Sequence, residues 1–436
     1  MPKHSSMIAG GGSSAILPTA YTVNQCILTS NSGKEYDIKG LVAEIDIVEE
    51  LEAESILVTL GIRDAIQFLE NALITGNEKI FLSIQHTTLE KNNKTKKKFD
   101  LDLKITEVTG LVRPKPGLQI YRVLCFKEHM YNDAIKKLVR PFEGSLGSLI
   151  ADICKKDMKV KKIGKLNTET KGILKGIFPR ISPIDAIQWL KRNSFDGQTP
   201  FYFFDTAAEG IKFDSYKSMC EEEVHKIYFQ RPFLTTKIGT DEHYQEVSEQ
   251  ITRLSSDMNS SPLVNVNNGA YGSTMHTLDY SNKEYNTFFY DYNNQNPCKL
   301  NKNKPFSENA DIDGIKYSQT RDSKHYFISL NKKSYELDNY HSTATPTLLI
   351  SEAVKENLTQ MAQTITVAGD YTMTPGKKIT INIPKSLGID ATGLKDMYLT
   401  GDYIVHRIHH TFRDEYNMQI DCIKDSTNID LDGEPM

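Results

Sequence analysis

The sequence predicts an α+β protein that is mainly β. Three observations lead there. Apolar and polar residues alternate with a period of two over much of the first 130 residues. Helical spacing of apolar residues is concentrated between Leu146 and Leu190. The β pattern then returns beyond about residue 225 and continues to Cys422.

The elements follow in order. Phe99, Leu101, Leu103 and Ile105 alternate with Asp100, Asp102 and Lys104, as a half-buried strand requires. Ile80, Leu82 and Ile84 repeat the pattern, and Ile120 to Phe126 is a further β-rich run. The lysine-rich stretch Glu90 to Lys98 reads as a long hairpin loop between two of these strands. Such strands, joined by polar turns, predict a small antiparallel barrel or sandwich. Leu146, Leu149, Ile150, Ile153 and Cys154 then mark an amphipathic helix. A second helix opens at Ser182-Pro183-Ile184-Asp185, where serine caps, proline fits the first turn and Asp185 completes a capping box. Strands Phe201 to Phe204 and up to Phe213 complete a compact α+β unit. Tyr285 to Tyr340 is rich in Asn, Lys, Tyr and Ser with little apolar periodicity, and reads as an insertion. Leu349, Ala353, Val354, Leu358, Met361 and Ile365 predict one helix, followed by strands at Ile379–Ile383, from Tyr403, and at Met418–Cys422.

The expected organisation is a flexible segment 1–20, a first β-barrel domain 21–129, an α+β domain 130–224, a second β-barrel domain 225–284 and 346–426, an inserted lobe 285–345, and a flexible tail 427–436. A chain of 436 residues accommodates several domains, and 39% hydrophobic residues suffice for real cores. The net charge of −4 argues against a dedicated nucleic-acid binder, which carries a basic excess. Ile8 to Pro18 is Gly/Ser-rich and weakly apolar, unlike a secretion signal. No apolar run approaches the roughly 20 residues of a membrane helix, so folding in a cytoplasm is expected. Cys26, Cys125, Cys154, Cys220, Cys298 and Cys422 are scattered without a CxxC pair, which indicates neither a zinc site nor a disulfide framework.

Three stretches together resemble one family. The first runs Phe178-Pro179-Arg180-Ile181-Ser182-Pro183-Ile184-Asp185-Ala186-Ile187-Gln188-Trp189-Leu190 and leads into Phe201 to Asp205 and Gly210 to Phe213. The second is Gly369-Asp370-Tyr371-Thr372-Met373-Thr374-Pro375-Gly376-Lys377-Lys378-Ile379. The third is Asp396 to Val405, continuing through His410 to Lys424-Asp425-Ser426. In order and spacing they resemble the central baseplate hub protein of contractile-tailed bacteriophages. The match covers about residues 130–215 and 350–426 and fades over 285–345 and in the basic loop after His86. The resemblance implies two tube-like β-barrels per chain and a homotrimer that imitates sixfold symmetry. Its implied partners are the hexameric tail tube ring, a trimeric spike protein and other baseplate subunits. DNA would pass without sequence-specific binding, and no membrane insertion by this chain is implied. The implied location is the virion baseplate, assembled in the host cytoplasm.

Candidate chemistry weighs little beside this. His406 and His410 on a strand share a face about 13 Å apart, while His409 points away, so the three cannot hold one tetrahedral ion. No Walker, Gly-x-Ser-x-Gly or His-Glu-x-x-His motif is present, and no catalytic, cofactor or metal residue is assigned. Glu44 and Asp46 alternate with Ile45 and Ile47, so they are candidate channel-facing carboxylates that would repel DNA phosphates. Lys91, Lys94, Lys96, Lys97 and Lys98 read as a solubilising loop. If the segment has a role, Lys94, Lys96, Lys97 and Lys98 are the candidates for docking an acidic partner ring. Trp189 with Phe201 to Phe204 is expected to pack as core rather than bind sugar. Competing functions are a tail-associated peptidoglycan hydrolase and a spike-base protein of a contractile secretion system. The latter would need a separate spike chain, since no short-period repeat is seen.

Overall fold

The computed structural model describes residues 17–76, 78–90, 93–167, 170–196, 199–231, 233–257, 262–292, 298–301, 311–316, 319–330, 347–358, 361–385, 395–396 and 398–427, with backbone alone at 87–90, 93–97, 257, 262, 311–312 and 330. The first region holds β1 (Tyr21–Thr29), β2 (Glu35–Asp37), β3 (Val42–Glu50), β4 (Leu57–Asp64), α1 (Phe68–Asn71), β5 (Lys79–Glu90), β6 (Asn93–Lys115) and β7 (Leu118–Lys127). Their pairing order is β3-β4-β7-β6-β5-β1-β2. Alternation decides which face is buried: Val58, Leu60 and Ile62 of β4 and Tyr121, Val123 and Cys125 of β7 point into one core with Ile80, Leu82, Ile84, Phe99, Leu101 and Leu103. Burying each such aliphatic side chain contributes roughly 1.5–3 kcal/mol.

The α+β unit holds α2 (Glu128–Ile135), β8 (Pro141–Ser145), α3 (Leu146–Asp152), β9 (Ile163–Leu166), β10 (Ile173–Ile177), α4 (Pro183–Asn193), β11 (Phe201–Thr206), β12 (Gly210–Ser215) and α5 (Tyr216–Glu221). The Ser182 side chain accepts from Asp185 N at 3.1 Å, as the capping signature predicts. A second acceptor, the carboxylate of Asp133 in α2, takes the N–H of Ile184 at 2.7 Å. Trp189 corrects an expectation. Ala186, Ile187 and Leu190 fill the core of this unit, whereas Trp189 is 39% exposed and touches Phe142 edge-on. The buried stripe of α4 is narrow enough to be filled by its smaller residues.

The second β-rich region holds β13 (Lys226–Phe229), α6 (Asp241–Glu249) and β14 (Arg253–Asp257), and later β20 (Met361–Ala368), β21 (Lys378–Asn382), β22 (Gly401–Phe412) and β23 (Tyr416–Lys424). Its strands run β14-β20-β23-β22, with β21 beside β22 and β13 beside β21. Phe229 at the end of β13 bridges Gln250, just ahead of β14, and Ile251 N donates to Phe229 O. The strands of this region therefore close on themselves.

Between β14 and β20 lie α7 (Pro262–Asn267), β15 (Gly272–Asp279), β16 (Glu284–Asp291), β17 (Asp311–Ile312), β18 (Ile315–Lys316), β19 (His325–Leu330) and α8 (Thr347–Leu358). Three differences from expectation fall here. The segment read as irregular contributes β16 and β19, which flank β15 in a three-stranded sheet, so this sheet begins before residue 285. Met275 and Tyr290 of its inner face pack on Leu349 and Ala353 of α8. The predicted helix through Ile365 stops at Leu358, and Met361 and Ile365 belong to β20. There Met361, Gln363, Ile365 and Val367 are buried in alternation, and the buried Gln363 hides the period in the sequence.

The two β-rich regions belong to one 13-stranded sheet, joined where β3 pairs antiparallel with β22. The mainly-β α+β class is the one the chain adopts. The terminal segments are packed at least from Pro18, which is buried, to Thr427, also buried; residues 1–16 and 428–436 lie outside the described residues. No described helix is long and apolar enough to cross a membrane.

Candidate functional site

The joint between β3 and β22 gathers the residues of most interest. In β3, Ile45, Ile47 and Glu49 are buried, while Glu44 and Asp46 are half-buried on the opposite face. Strand alternation thus places the two candidate channel-facing carboxylates together. Each has a cation or donor from across the joint. Glu44 Oε1 accepts from Arg413 Nε at 2.6 Å and also from the second guanidinium nitrogen. Asp46 Oδ1 accepts from His409 Nε2 at 2.9 Å and from Thr411 Oγ1 at 3.3 Å. Burial opposes ionisation of Asp46, but these hydrogen bonds and the His409 ring outweigh it and hold the carboxyl below its ordinary range. These residues are a polar seam as well as a surface, and Arg413 cancels much of the field of Glu44.

Behind the seam lies a buried polar group. Glu49 and His410 are fully buried, with His410 Nε2 3.4 Å from Glu49 Oε1. Ala207 N donates to the same Glu49 oxygen at 3.1 Å. Burial pushes ionisation of the Tyr416 hydroxyl well above its usual value, and this O–H shares a hydrogen bond with His410 Nδ1 at 2.8 Å. His406 does not join it, against expectation. A β-bulge between Val405 and Arg407 shifts the strand phase, so Tyr403 and Val405 share the core with Ile408, His410 and Phe412, and His406 falls on the other side. Among the described residues no group of three or more His, Cys, Asp and Glu is arranged to hold a metal.

The lysine segment also differs from expectation. It is not a loop in its backbone, because β5 and β6 pair from Lys79↔Lys104 out to Glu90↔Asn93, with Leu89↔Lys94, Thr87↔Lys96, His86↔Lys97 and Gln85↔Lys98 in register. The candidate docking lysines therefore ride on a long β-ribbon. Lys98 is exposed; Lys91 and the side chains of Lys94, Lys96 and Lys97 lie outside the described residues.

At the base of this ribbon, a pocket lined by Asp100, Asp102, Lys127, Glu128, Lys161 and Asp205 separates the first β region from the α+β unit. Five of these six charges pair with one another: Lys127 with Asp205 at 2.7 Å, and Lys161 with Asp102 at 3.2 Å and Glu128 at 3.4 Å. Carboxylates engaged in this way brace two units together. Sequence spacing gave no sign of the pocket, since its lining is drawn from four separated stretches.

The second motif singled out in the sequence is a turn anchored by charge. Burial opposes ionisation of Asp370, but Lys226 at 3.1 Å and the N–H and hydroxyl of Thr372 hold its carboxyl well below the carboxylate range. Gly376 N and Val405 N form hydrogen bonds that tie the turn to β22.

No protein-family model and no curated protein matches the chain. Among solved structures, the tail protein from Neisseria meningitidis MC58 superposes with a TM-score of 0.52 at 10% identity, covering 93% of this chain and 97% of that one. The 43 kDa tail protein of prophage MuSo2 from Shewanella oneidensis gives 0.49 at 11% identity, with 92% and 98% covered. Prophage tail protein gp18 from Listeria monocytogenes EGD-e gives 0.47 at 8% identity, with 92% and 94% covered. The first of these likenesses gives this chain the fold of that tail protein over nearly its whole length.

Proposed function

We propose that the chain is a non-enzymatic structural subunit of a contractile phage tail, the baseplate hub that adapts a hexameric tail tube to a trimeric cell-puncturing spike. The observation that carries this is the β3–β22 joint, which sets two β units edge to edge in one sheet within a single chain. Three such chains offer six β units to a sixfold partner and three copies of every other surface to a threefold one. On this reading the assembled ring leaves an axial channel through which DNA passes without sequence-specific contact. Glu44 and Asp46 line the channel, and the β5–β6 ribbon with Lys94, Lys96, Lys97 and Lys98 docks an acidic face of a neighbouring baseplate ring. The subunit acts in the virion tail after assembly in the host cytoplasm.

The purified protein tests the reading by mass and symmetry. A trimeric mass and a threefold ring with a central channel in electron micrographs are expected. A stable monomer at assembly concentrations, or a trimer with no axial opening, refutes the hub. Release of soluble fragments from peptidoglycan would instead identify a hydrolase.

A further inference from the structure

Cys220 and Cys298 are distant in sequence and meet in the fold. Cys220 lies on α5 and is 8% exposed, and Cys298 follows β16 and is half-buried. Cys298 packs on the cluster that Cys220 forms with Tyr202, Tyr216, Met219 and Val354, and each thiol shifts the ionisation of the other. Both flanks are fixed. Leu300 N donates to both oxygens of Asp425, at 3.2 and 3.3 Å, while Tyr216 O–H donates to the same carboxylate at 3.0 Å. Asn301 donates to Ser426 Oγ through its N–H at 3.0 Å and to the carbonyls of Asp402 and Ser426 through Nδ2, and accepts from Asp402 N at 2.9 Å. One buried carboxylate thus holds the helix of one thiol and the irregular segment 298–301 of the other.

We propose that Cys220 and Cys298 are a dithiol modification site, joined as a reversible disulfide that staples the segment following β16 to α5 when the protein meets an oxidising medium. The inference rests on the proposed function only for the passage from a cytoplasm to the exterior, and its test does not depend on the hub geometry. A cytoplasm keeps such a pair reduced, and release to the exterior exposes it to oxidants. The chemistry is thiol–disulfide exchange with a low-molecular-weight disulfide. Cys298 is the more accessible thiol, and the neighbouring Cys220 thiol holds it below its ordinary value, so its thiolate attacks first. The S–S bond of the oxidant breaks, one of its thiolates leaves and takes a proton, and a mixed disulfide remains on Cys298. Cys220, whose thiol Cys298 pushes up, gives up its proton as it attacks that mixed disulfide and expels the second thiolate. Two cysteines are oxidised, and the oxidant is reduced to two thiols. Cys26, Cys125, Cys154 and Cys422 are wholly buried, and burial raises each of their thiols, those of Cys26 and Cys154 to about 12. They stay out of the exchange.

The test treats the native full chain with oxidised glutathione, then alkylates under denaturing, non-reducing conditions and maps peptides by mass. We expect loss of two of the six alkylatable thiols, one cross-linked peptide pair carrying residues 220 and 298, and full recovery with dithiothreitol. Cys298→Ser should abolish the link and leave Cys220 unmodified. Cys220→Ser should trap a glutathione adduct on Cys298. Retention of all six thiols, or a stable adduct on Cys298 of the unmutated chain with no link to Cys220, overturns the proposal. Wild-type mapping decides the matter even if Cys220→Ser fails to fold.

Discussion

Gly369→Ala is expected to unfold the second β region at far lower denaturant than wild type. Gly369 follows β20 at the head of the Gly-Asp-Tyr-Thr-Met-Thr-Pro-Gly stretch. A Cβ there would lie 2.1 Å from Tyr416 Cδ1 and 2.3 Å from its Cε1 and Cγ. Carbon atoms are comfortable at about 3.5–4.0 Å, so the ring would have to retreat by more than about 1 Å. It has nowhere to go. Tyr416 is fully buried, stacks on Phe412 at 4.2 Å, meets His86 edge-on at 5.1 Å and is hydrogen-bonded to His410. If the backbone moves instead, it loses the bond from Gly369 N to Tyr416 O at 3.0 Å. Overpacking costs about 1–3 kcal/mol or more, and a broken hydrogen bond about 1, so a loss of about 3–4 kcal/mol is expected. Urea unfolding followed by far-UV circular dichroism reads this as a midpoint lowered by about 1 M or more. Gly40→Ala, where nothing lies within 4 Å of the added carbon, should change stability by less than about 0.5 kcal/mol. In a Tyr416→Ala background the Gly369→Ala penalty should shrink, because the two groups share one volume. An unshifted midpoint, or an undiminished penalty in the double variant, would refute the steric argument.

Asp46→Asn removes a charge-assisted acceptor from His409 and Thr411 and should cost about 1–2 kcal/mol at pH 7. The folded carboxyl sits below its unfolded value, so this contribution is complete above pH 4–5 (roughly) and disappears as pH falls through the folded pKa; urea midpoints of the two proteins should converge in acid. Lys424 is wholly buried, donates to the carbonyl of Tyr398 at 2.7 Å, and is lowered by burial to about 7. Below pH 7 both folded and unfolded chains hold its proton and the burial cost is complete. From about pH 7 to about pH 10 the unfolded chain binds more protons, so wild type should gain stability relative to Lys424→Met, and a flat difference over that window would refute the assignment. Reversing Lys96, Lys97 and Lys98 to Glu should leave the ring mass unchanged and weaken its co-sedimentation with an acidic neighbouring ring; unchanged binding rules out docking by the ribbon.

What was legible in the sequence was whatever a single period or cap controls. The alternation from Phe99 to Ile105 gave a strand of the first core, and Ser182 gave the start of α4. The sheet face of Glu44 and Asp46 followed from the same alternation. What stayed hidden depends on partners far along the chain. Gln363 is buried because its amide donates to Leu399 O, and that polar residue broke the apolar signal of β20. The lysines from Lys94 to Lys98 have low strand propensity, yet pairing extends over them because the hairpin is already registered from Lys79↔Lys104. The bulge that separates His406 from His410 has no signature in composition, and the meeting of Cys220 with Cys298 exists only after the sheet and lobe have folded.

The β3–β22 joint explains why one strand register matters to a proposed assembly. A slip of one residue would send His410 to the polar face and His409 into the core. His410 would then leave Tyr416 and Glu49, and Asp46 would lose its donor. Glu49 buried without His410 is costly, so the wrong register is penalised from both faces of the same strand. The polar seam on one side and the buried His410–Glu49 pair on the other therefore fix the relative placement of the two β units. A ring built from three chains would inherit half of its module-to-module joints already aligned, leaving only the contacts between chains to be found by diffusion.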